Sequence, residues 1–261
     1  MSYQTISLET DERGVATVTL DREPKHNVMD ERMLDELTRV AVALSSETSV
    51  RVVVLTGRGS SFCAGADLGW MKANLELDIE ERLFQSNKLG EMLNAWNDLS
   101  KLVIAKVNGQ AFGGGVGIIC TCDIVIGVDT AVFSLSEVKL GLAPANISPF
   151  VLQRLGRRVS RRLLLNAHRF NGPEAARFGL LDECVSTSEL SDCVEGEITE
   201  LLTCGPEAVA RTKELIRFVS THSDTESREY GAKLLADVWQ GDESDEGIRA
   251  FFERRKPSWS V

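Results

Sequence analysis

Hydrophobic and polar residues along the chain follow two different periods, and each period predicts one type of element. Residues 3–20 alternate, which predicts two short strands joined by a turn at 12–14. Apolar residues at helical spacing predict a helix over 33–44, with Asp30 as its N-cap, and another over 79–99. Continuous β-branched runs predict strands that are buried on both faces, namely VRVVVLTG (50–57), KLVIAKV (101–107) and DIVIGV (123–128).

Strand and helix patterns alternate through most of the chain, which is typical of an α/β domain with largely parallel strands. Beyond about residue 188 the strand signals disappear and only helical patterns continue. We therefore expect an α/β core over residues 1–190 and an all-helical segment over residues 191–261.

Composition narrows the classes of function. The formal net charge is −10, which makes a nucleic-acid partner unlikely because phosphates repel an acidic chain. No apolar run reaches the roughly 18–20 residues that cross a bilayer, so no membrane segment is expected. The N-terminal stretch MSYQTISLETDERG is polar and acidic, unlike a secretory signal or a transit peptide.

The cysteines indicate a reducing compartment, and the spacing of cysteines and histidines does not predict a metal site. The chain has six cysteines without a CxxC pair and only three histidines, so no metal centre is predicted. We expect a cytoplasmic protein. An arginine-rich stretch over 154–162 fits either a solvated helix face or capture of a phosphorylated ligand.

Three loops carry candidate chemistry, and each follows an apolar strand pattern. FCAGADL (62–68) and AFGGGVG (111–117) are rich in small residues, so bare backbone N–H groups could reach a ligand oxygen. Tight strand–helix packing would also require glycine there. Glu137 lies among apolar neighbours, which would favour its neutral form and suit proton transfer, although an exposed carboxylate at the end of a strand is the alternative.

Taken together, these motifs resemble the enoyl-CoA hydratase/isomerase (crotonase) family. The resemblance rests on FCAGADL, on AFGGGVG followed by CDIVI, and on FSLSEVKLGLAP, and it extends to DREPKHNVMD, FNGPEAARFGLLDECV and DEGIRAFFERRKPSW. It implies a spiral of ββα units with a helical C-terminal segment that mediates trimerisation, assembled as homotrimers or homohexamers. It also implies an enzyme that binds acyl-CoA thioesters without a separate cofactor, since coenzyme A is part of the substrate.

The resemblance also assigns roles to individual residues. Ala64 and Gly114 would supply the two backbone N–H groups that hold the thioester oxygen as it becomes an enolate, and Glu137 would transfer protons. The residues expected to contact the substrate are Lys25, Ala66, Asp67, Leu68, Gly113, Gly117 and Pro144. Phe252 and Lys256 are expected to contact coenzyme A across a subunit boundary.

One position departs from the family pattern. Family hydratases usually carry a second glutamate two residues after the triple glycine, and this chain has Gly117 there. The departure is compatible with an isomerase that uses one carboxylate, or with a hydratase in which the substrate or a bound anion fills the gap. A binding protein without catalytic activity is a further alternative.

The surrounding motifs favour the hydratase. They resemble most the bacterial 3-methylglutaconyl-CoA hydratases of leucine breakdown, with the isohexenylglutaconyl-CoA hydratases of acyclic terpene breakdown as the alternative. Both substrates carry a distal carboxylate, and Gly117 is predicted to leave room for this second negative group.

Overall fold

The computed structural model describes residues 3–260 and contains two β-sheets with helices packed around them. The strands are β1 (Ile6–Thr10), β2 (Val15–Leu20), β3 (Val52–Gly57), β4 (Ser61–Cys63), β5 (Leu102–Val107), β6 (Gln110–Phe112), β7 (Ile124–Val128), β8 (Val132–Ser134), β9 (Phe170–Asn171) and β10 (Glu183–Val185). The α-helices are α1 (Glu31–Ser46), α2 (Leu68–Asn74), α3 (Ile79–Asn97), α4 (Gly114–Ile119), α5 (Ser148–Asn166), α6 (Gly172–Phe178), α7 (Leu190–Leu201), α8 (Pro206–Val219), α9 (Asp224–Val238) and α10 (Asp242–Glu253). Two short 3₁₀ helices cover Glu23–Lys25 and Glu137–Leu140.

The larger sheet contains the strands that the β-branched runs predict. Its order is β1-β2-β3-β5-β7-β10, in which β1 and β2 form an antiparallel hairpin and the other neighbouring pairs are parallel. The residues of β3 and β7 are almost all buried, as expected for strands covered on both faces. Asp30 caps α1 by accepting a hydrogen bond from the N–H of Met33, which confirms the predicted helix start.

The smaller sheet positions the candidate loops. Its order is β4-β6-β8-β9, and β4, β6 and β8 are parallel neighbours. The carboxyl ends of parallel strands meet at one edge of a sheet, so the segments after β4, β6 and β8 emerge side by side. These segments are the three loops that the sequence selects.

After β10 the chain is helical. In α7, Leu190, Val194 and Ile198 pack into the same hydrophobic core as the sheets. The core therefore extends beyond residue 190, although the last strand ends at Val185.

The last three helices expose an apolar surface. Within the described chain, α8 and α9 bury no residue and α10 buries only Ala250. The exposed apolar side chains on these helices are Ile216, Val219, Leu235, Ile248, Phe251 and Phe252, and Trp239 directly after α9 is exposed as well. The predicted α/β fold with a C-terminal helical segment is confirmed, whereas the role of residues 191–261 in trimerisation stays a prediction.

Candidate active site

The loop after β4 is held in place by the loop that precedes α1. Met29 donates its N–H to the carbonyl of Gly65 at 2.8 Å, and the N–H of Asp67 donates to the carbonyl of Met29 at 2.8 Å. These two bonds form a parallel bridge between Met29 and Ala66. In such a bridge, the N–H of the residue between the two bonded groups points away from the partner segment.

The N–H of Ala64 is not available to a substrate. It donates to the carbonyl of His26 at 2.9 Å, as part of the same attachment between the two loops. A backbone donor that is already paired inside the fold cannot stabilise an oxyanion without breaking that bond. The prediction that Ala64 supplies an oxyanion donor is therefore wrong.

Ala66, in the same loop, has the backbone donor that Ala64 lacks. Within residues 3–260 its N–H has no hydrogen-bond partner, and it faces away from Met29. The strand register supports a position of the Ala66 N–H beside that of Gly114. Cys63 in β4 lies opposite Ala111 in β6, and Ala66 and Gly114 each lie three residues further along the chain. Gly114 is the first residue of α4, where a backbone N–H has no partner inside the helix.

The loop before α1 has an unusual backbone that fixes this arrangement. His26 and Asn27 both have positive φ angles, 53° and 56°, a conformation that residues other than glycine rarely adopt. The Asn27 side chain is fully buried and accepts a hydrogen bond from the N–H of Arg22 at 2.9 Å. Its amide donates to the carbonyls of Arg58 at 3.0 Å and Ser61 at 2.8 Å. Asn27 therefore ties this loop to the segment that follows β3 and to the start of β4.

The three consecutive glycines each satisfy a different requirement. Gly113 has φ 49° and ψ −117°, so it needs the conformational freedom of glycine. A Cβ at Gly115 would lie 2.5 Å from the carbonyl oxygen of Cys63, so this glycine allows α4 to pack closely against β4. A Cβ at Gly114 would meet only ordinary contacts, with the Met29 sulfur at 3.5 Å and a Leu89 methyl at 3.7 Å. Close strand–helix packing therefore explains Gly115, whereas the role of Gly114 as a backbone donor to a ligand stays a prediction.

Glu137 lies against the glycine loop. A Cβ on Gly113 would be only 3.0 Å from Glu137 Oε1, so the missing side chain lets the carboxyl approach the backbone. Glu137 Oε2 is buried and has no hydrogen-bond partner among residues 3–260. Burial raises the pKa of Glu137 above its ordinary value, and a hydrogen bond from its own backbone N–H opposes this only in part. A desolvated carboxyl with a free oxygen is suited to proton transfer.

The space next to Gly117 is not open. Gly117 is buried, and a Cβ there would lie 2.5 Å from Cγ2 and 3.1 Å from Cβ of Ile147. Leu93 closes the same space from α3, with its Cδ2 at 3.6 Å. The prediction that Gly117 leaves room for a second negative group is therefore wrong, because Ile147 fills that room.

Asp67 is already committed to hydrogen bonds within the protein. Its Oδ1 caps α2 by accepting from the N–H groups of Gly69 and Trp70, and its Oδ2 pairs with Arg22 at 3.1 Å and Lys25 at 3.2 Å. Burial alone would raise the pKa of Asp67, but the hydrogen bonds from Lys25, the two backbone groups and Arg22 together lower it. Asp67 is thus placed to hold the loop and to orient Lys25, rather than to contact a substrate.

The remaining predicted contact residues lie around this centre. Lys25 is 60% exposed in its side chain and Leu68 is 72% exposed at the start of α2. Pro144 is half-buried, and its carbonyl accepts a hydrogen bond from Ser148 at the beginning of α5. The predicted role of each in substrate binding stays a prediction.

Sequence reasoning missed several residues of the site. Met29, Leu89, Leu93 and Ile147 form apolar contacts with the positions of Gly114 and Gly117. Their spacing along the chain gives no sign that they meet, since they come from three different segments. Asn27 could have been suspected, because asparagine is among the residues that tolerate a left-handed backbone.

Comparisons with known proteins identify the family of the chain. The family model described as "Enoyl-CoA hydratase/isomerase" matches residues 10–261. A carnitinyl-CoA dehydratase from Proteus mirabilis is 34% identical over 260 residues, which cover 97% of this chain and 98% of the relative.

The chain belongs to the enoyl-CoA hydratase/isomerase family.

Two solved structures extend the likeness to the whole fold of this family. An enoyl-CoA hydratase from Shewanella pealeana has a TM-score of 0.94 at 35% identity, covering 98% of this chain and 96% of the other. AtuE from Pseudomonas aeruginosa has a TM-score of 0.96 at 36% identity, covering 99% and 100%. The predicted crotonase-like fold and membership of an enzyme family acting on enoyl-CoA are thereby confirmed.

Two further observations concern the rest of the surface. No helix within residues 3–260 combines the length and the apolar character needed to span a membrane. A cleft of about 1,220 Å³ lies between α1, α2 and α3, but none of the predicted site residues lines it. Its lining residue Lys88 is paired with Glu31 and Asp35.

Proposed function

We propose that the protein adds water reversibly across the double bond of an enoyl-CoA thioester, as a hydro-lyase with Glu137 as its only proton-transfer carboxylate. The observation that carries this proposal is the position of Glu137, whose desolvated carboxyl lies against Gly113 with Oε2 unpaired. Beside it, the N–H groups of Ala66 and Gly114 are free to donate hydrogen bonds to the oxygen of an enolate.

The proposed reaction uses one carboxylate for both proton transfers. Glu137 accepts a proton from water as the water oxygen bonds to the β-carbon of the substrate. The electrons of the double bond move to the thioester oxygen, where the N–H groups of Ala66 and Gly114 stabilise the enolate. Glu137 then returns the proton to the α-carbon, so that water has been added and the carboxylate is regenerated. Each such N–H contributes roughly 3–4 kcal/mol in other enzymes.

For the acyl group we propose a branched, carboxylated chain such as 3-methylglutaconyl-CoA, with isohexenylglutaconyl-CoA as the alternative. This part rests on the resemblance of the motifs around the site. Because Ile147 fills the space at Gly117, the distal carboxylate of the substrate would bind elsewhere than at this glycine.

A second candidate is an enoyl-CoA isomerase. Glu137 could remove a proton from C2 of a 3-enoyl-CoA and return it to C4, which shifts the double bond without water. The observation that favours it is the apolar contact between Gly117 and Ile147, which leaves a single carboxylate beside the glycine loop.

A small substrate panel tests these proposals. We would measure kcat/KM for 3-methylglutaconyl-CoA, crotonyl-CoA and a 3-enoyl-CoA, and identify the product of each. The hydratase proposal expects hydration of 3-methylglutaconyl-CoA to exceed that of crotonyl-CoA by about tenfold or more. A preference for crotonyl-CoA would refute the carboxylated substrate. A shifted double bond without hydration of any substrate would establish the isomerase, and tight binding without turnover would indicate a binding protein.

We also infer that copies of the chain assemble through α8, α9 and α10 into a homotrimer or homohexamer. The exposed apolar residues of these helices support this, since a monomer seldom leaves so many exposed on neighbouring elements. Light scattering would show a mass near three or six times 28.7 kDa, and a monomer would refute the assembly.

A further inference from the structure

The contact between Gly117 and Ile147 joins two parts of the chain that lie on either side of Glu137. A Cβ at Gly117 would lie 2.5 Å from Cγ2 of Ile147, a separation that real side-chain carbons do not reach. Ile147 is only 1% exposed, so its side chain is packed among other residues and cannot turn out into solvent without displacing them. Any side chain at position 117 therefore competes with Ile147 for the same volume.

Neighbouring residues fix the position of Ile147. The Asn146 amide donates to the carbonyl and to the hydroxyl of Ser86 on α3, at 3.0 Å and 3.2 Å. Gly90, one turn further along α3, allows this approach, because a Cβ there would be 3.3 Å from Asn146 Oδ1. These contacts anchor the start of α5 to α3 and hold Ile147 between α3 and α4.

The contact lies beside the proposed reaction centre. Gly117 is in the first turn of α4, and its N–H donates to the carbonyl of Gly113 at 3.0 Å. Gly113 is also the residue that Glu137 Oε1 approaches. The other side chain near Gly117 is that of Leu93, which is fully buried. The wall on this side of the centre is therefore apolar.

We propose that Ile147 is a specificity-determining residue, because it occupies the volume beside Gly117 and excludes a second protein carboxylate from the reaction centre. The exclusion leaves Glu137 to carry both proton transfers. The proposal rests on the proposed function for its chemical meaning, but its steric part concerns the fold alone.

A double-mutant cycle on stability tests the steric part. Gly117→Ala should lower the Tm by roughly 3–10 °C in the wild-type background, because the new methyl group overpacks the core. In an Ile147→Ala background the same change should shift the Tm by less than about 2 °C. Gly196→Ala is the matched control, since a Cβ at this helical glycine meets nothing within 4 Å and should not lower the Tm.

One result of this double-mutant cycle would contradict the steric claim. Equal effects of Gly117→Ala in both backgrounds would show that Ile147 does not exclude a side chain at 117. If Ile147→Ala does not fold, Ile147→Cys provides the second background, because it lacks the Cγ2 methyl but keeps more volume.

The chemical part is tested by adding a carboxylate at position 117. Gly117→Glu combined with Ile147→Ala should hydrate crotonyl-CoA at least about tenfold faster than Ile147→Ala alone, the lower side of what a general acid–base group provides. The pH profile of kcat/KM should gain a second ionisation, because two nearby carboxylates titrate as a pair. Gly117→Gln with Ile147→Ala has the same shape without the acid and should show neither change.

Two results would overturn the proposal. If the glutamate and glutamine double variants share one rate and one pH profile, a side chain at 117 does not reach the reacting atoms. If Gly117→Glu alone keeps the wild-type Tm and behaves like the double variant, Ile147 excludes nothing. If instead the wild type turns over no substrate of the panel, the proposed function fails, whereas the Tm cycle still decides the steric claim.

Discussion

Replacing Glu137 with glutamine should abolish most activity and, at the same time, stabilise the protein at neutral pH. The side chain keeps its shape and loses only its acid. If Glu137 performs both proton transfers, turnover should fall by roughly 10²–10⁴, the usual contribution of a general acid–base group. Stability should move in the opposite direction, because the wild-type carboxylate is desolvated and its Oε2 has no partner within residues 3–260.

The pH dependence of this stabilisation follows from the direction of the pKa shift. Burial raises the pKa of Glu137 above its unfolded value of 4.5. Below that value the carboxyl is neutral in both states, so the contribution of Glu137 to stability is fully present and glutamine offers no advantage. As the pH rises through the raised pKa of the folded protein, the buried carboxyl ionises and this contribution is lost. The variant should therefore gain relative to the wild type only at the higher pH.

The size of the gain follows from removal of the charge, because the glutamine amide leaves a polar atom as unpaired as the Oε2 that it replaces. A buried polar group without a partner costs about 1–3 kcal/mol, and more when it is charged. Since Glu137 is only half-buried, solvent screens part of this cost, and we expect about 1–2 kcal/mol. In a chain of this size that corresponds to a Tm higher by about 2–8 °C.

The assay is thermal unfolding of both proteins between pH 4 and pH 8. Glu229→Gln serves as the control, because Glu229 is exposed and its replacement should leave the Tm difference near zero at every pH. A difference for Glu137→Gln that does not grow with pH, or a variant less stable than the wild type at pH 7, would refute the desolvation argument. Activity within about threefold of the wild type would refute the assignment of Glu137 itself.

Two further substitutions test the backbone donors. Gly114→Val should fold normally, since a Cβ at this position meets only ordinary contacts. Its kcat/KM should nevertheless fall by at least about 100-fold, because the valine side chain displaces the thioester oxygen. Full activity in steady-state assays would mean that the donor loop is misplaced. Asn27→Gly keeps the left-handed backbone but removes the side-chain hydrogen bonds to Arg22, Arg58 and Ser61. The value of kcat should then fall more than KM changes, because the N–H of Ala66 loses its alignment. A lower Tm with unchanged kcat would show that Asn27 has only a structural role.

Much of the fold was predictable from local pattern. The β-branched runs correspond to β3, β5 and β7, because a strand that is buried on both faces must be apolar along its whole length. The turn between β1 and β2 and the cap at Asp30 also follow from residues close together in the chain. For Glu137 the apolar neighbours in the sequence left two alternatives open, a desolvated carboxyl and an exposed one at the end of a strand, and the structure shows the desolvated one.

The choice between Ala64 and Ala66 was not predictable in this way. Both are alanines in the same small-residue loop, so neither side-chain chemistry nor spacing separates them. What separates them is pairing with a segment almost 40 residues earlier, where the carbonyl of His26 takes the N–H of Ala64 and Met29 bridges Ala66.

Gly117 illustrates a different limit. The sequence shows that a side chain is missing, but it cannot show whether the space is empty or filled by another residue. Here Ile147 fills it from a loop 30 residues further along the chain. Gly117 and Ile147 therefore shape this part of the site together, but only Gly117 is visible in the sequence as a departure from the family pattern.

Three unpaired polar groups connect the two backbone donors with Glu137. The N–H groups of Ala66 and Gly114 lack partners among residues 3–260, and so does Oε2 of Glu137. Folded proteins rarely leave such groups unsatisfied, because each costs stability. All three groups follow neighbouring parallel strands, β4, β6 and β8, at the same edge of the smaller sheet. Two of them are donors and one is a proton carrier, so a thioester with its oxygen between the N–H groups and its α-carbon near the carboxyl would satisfy all three at once. In the proposed reaction, the stability that the fold gives up at this edge would be recovered when these groups bind the charge that develops on the thioester oxygen.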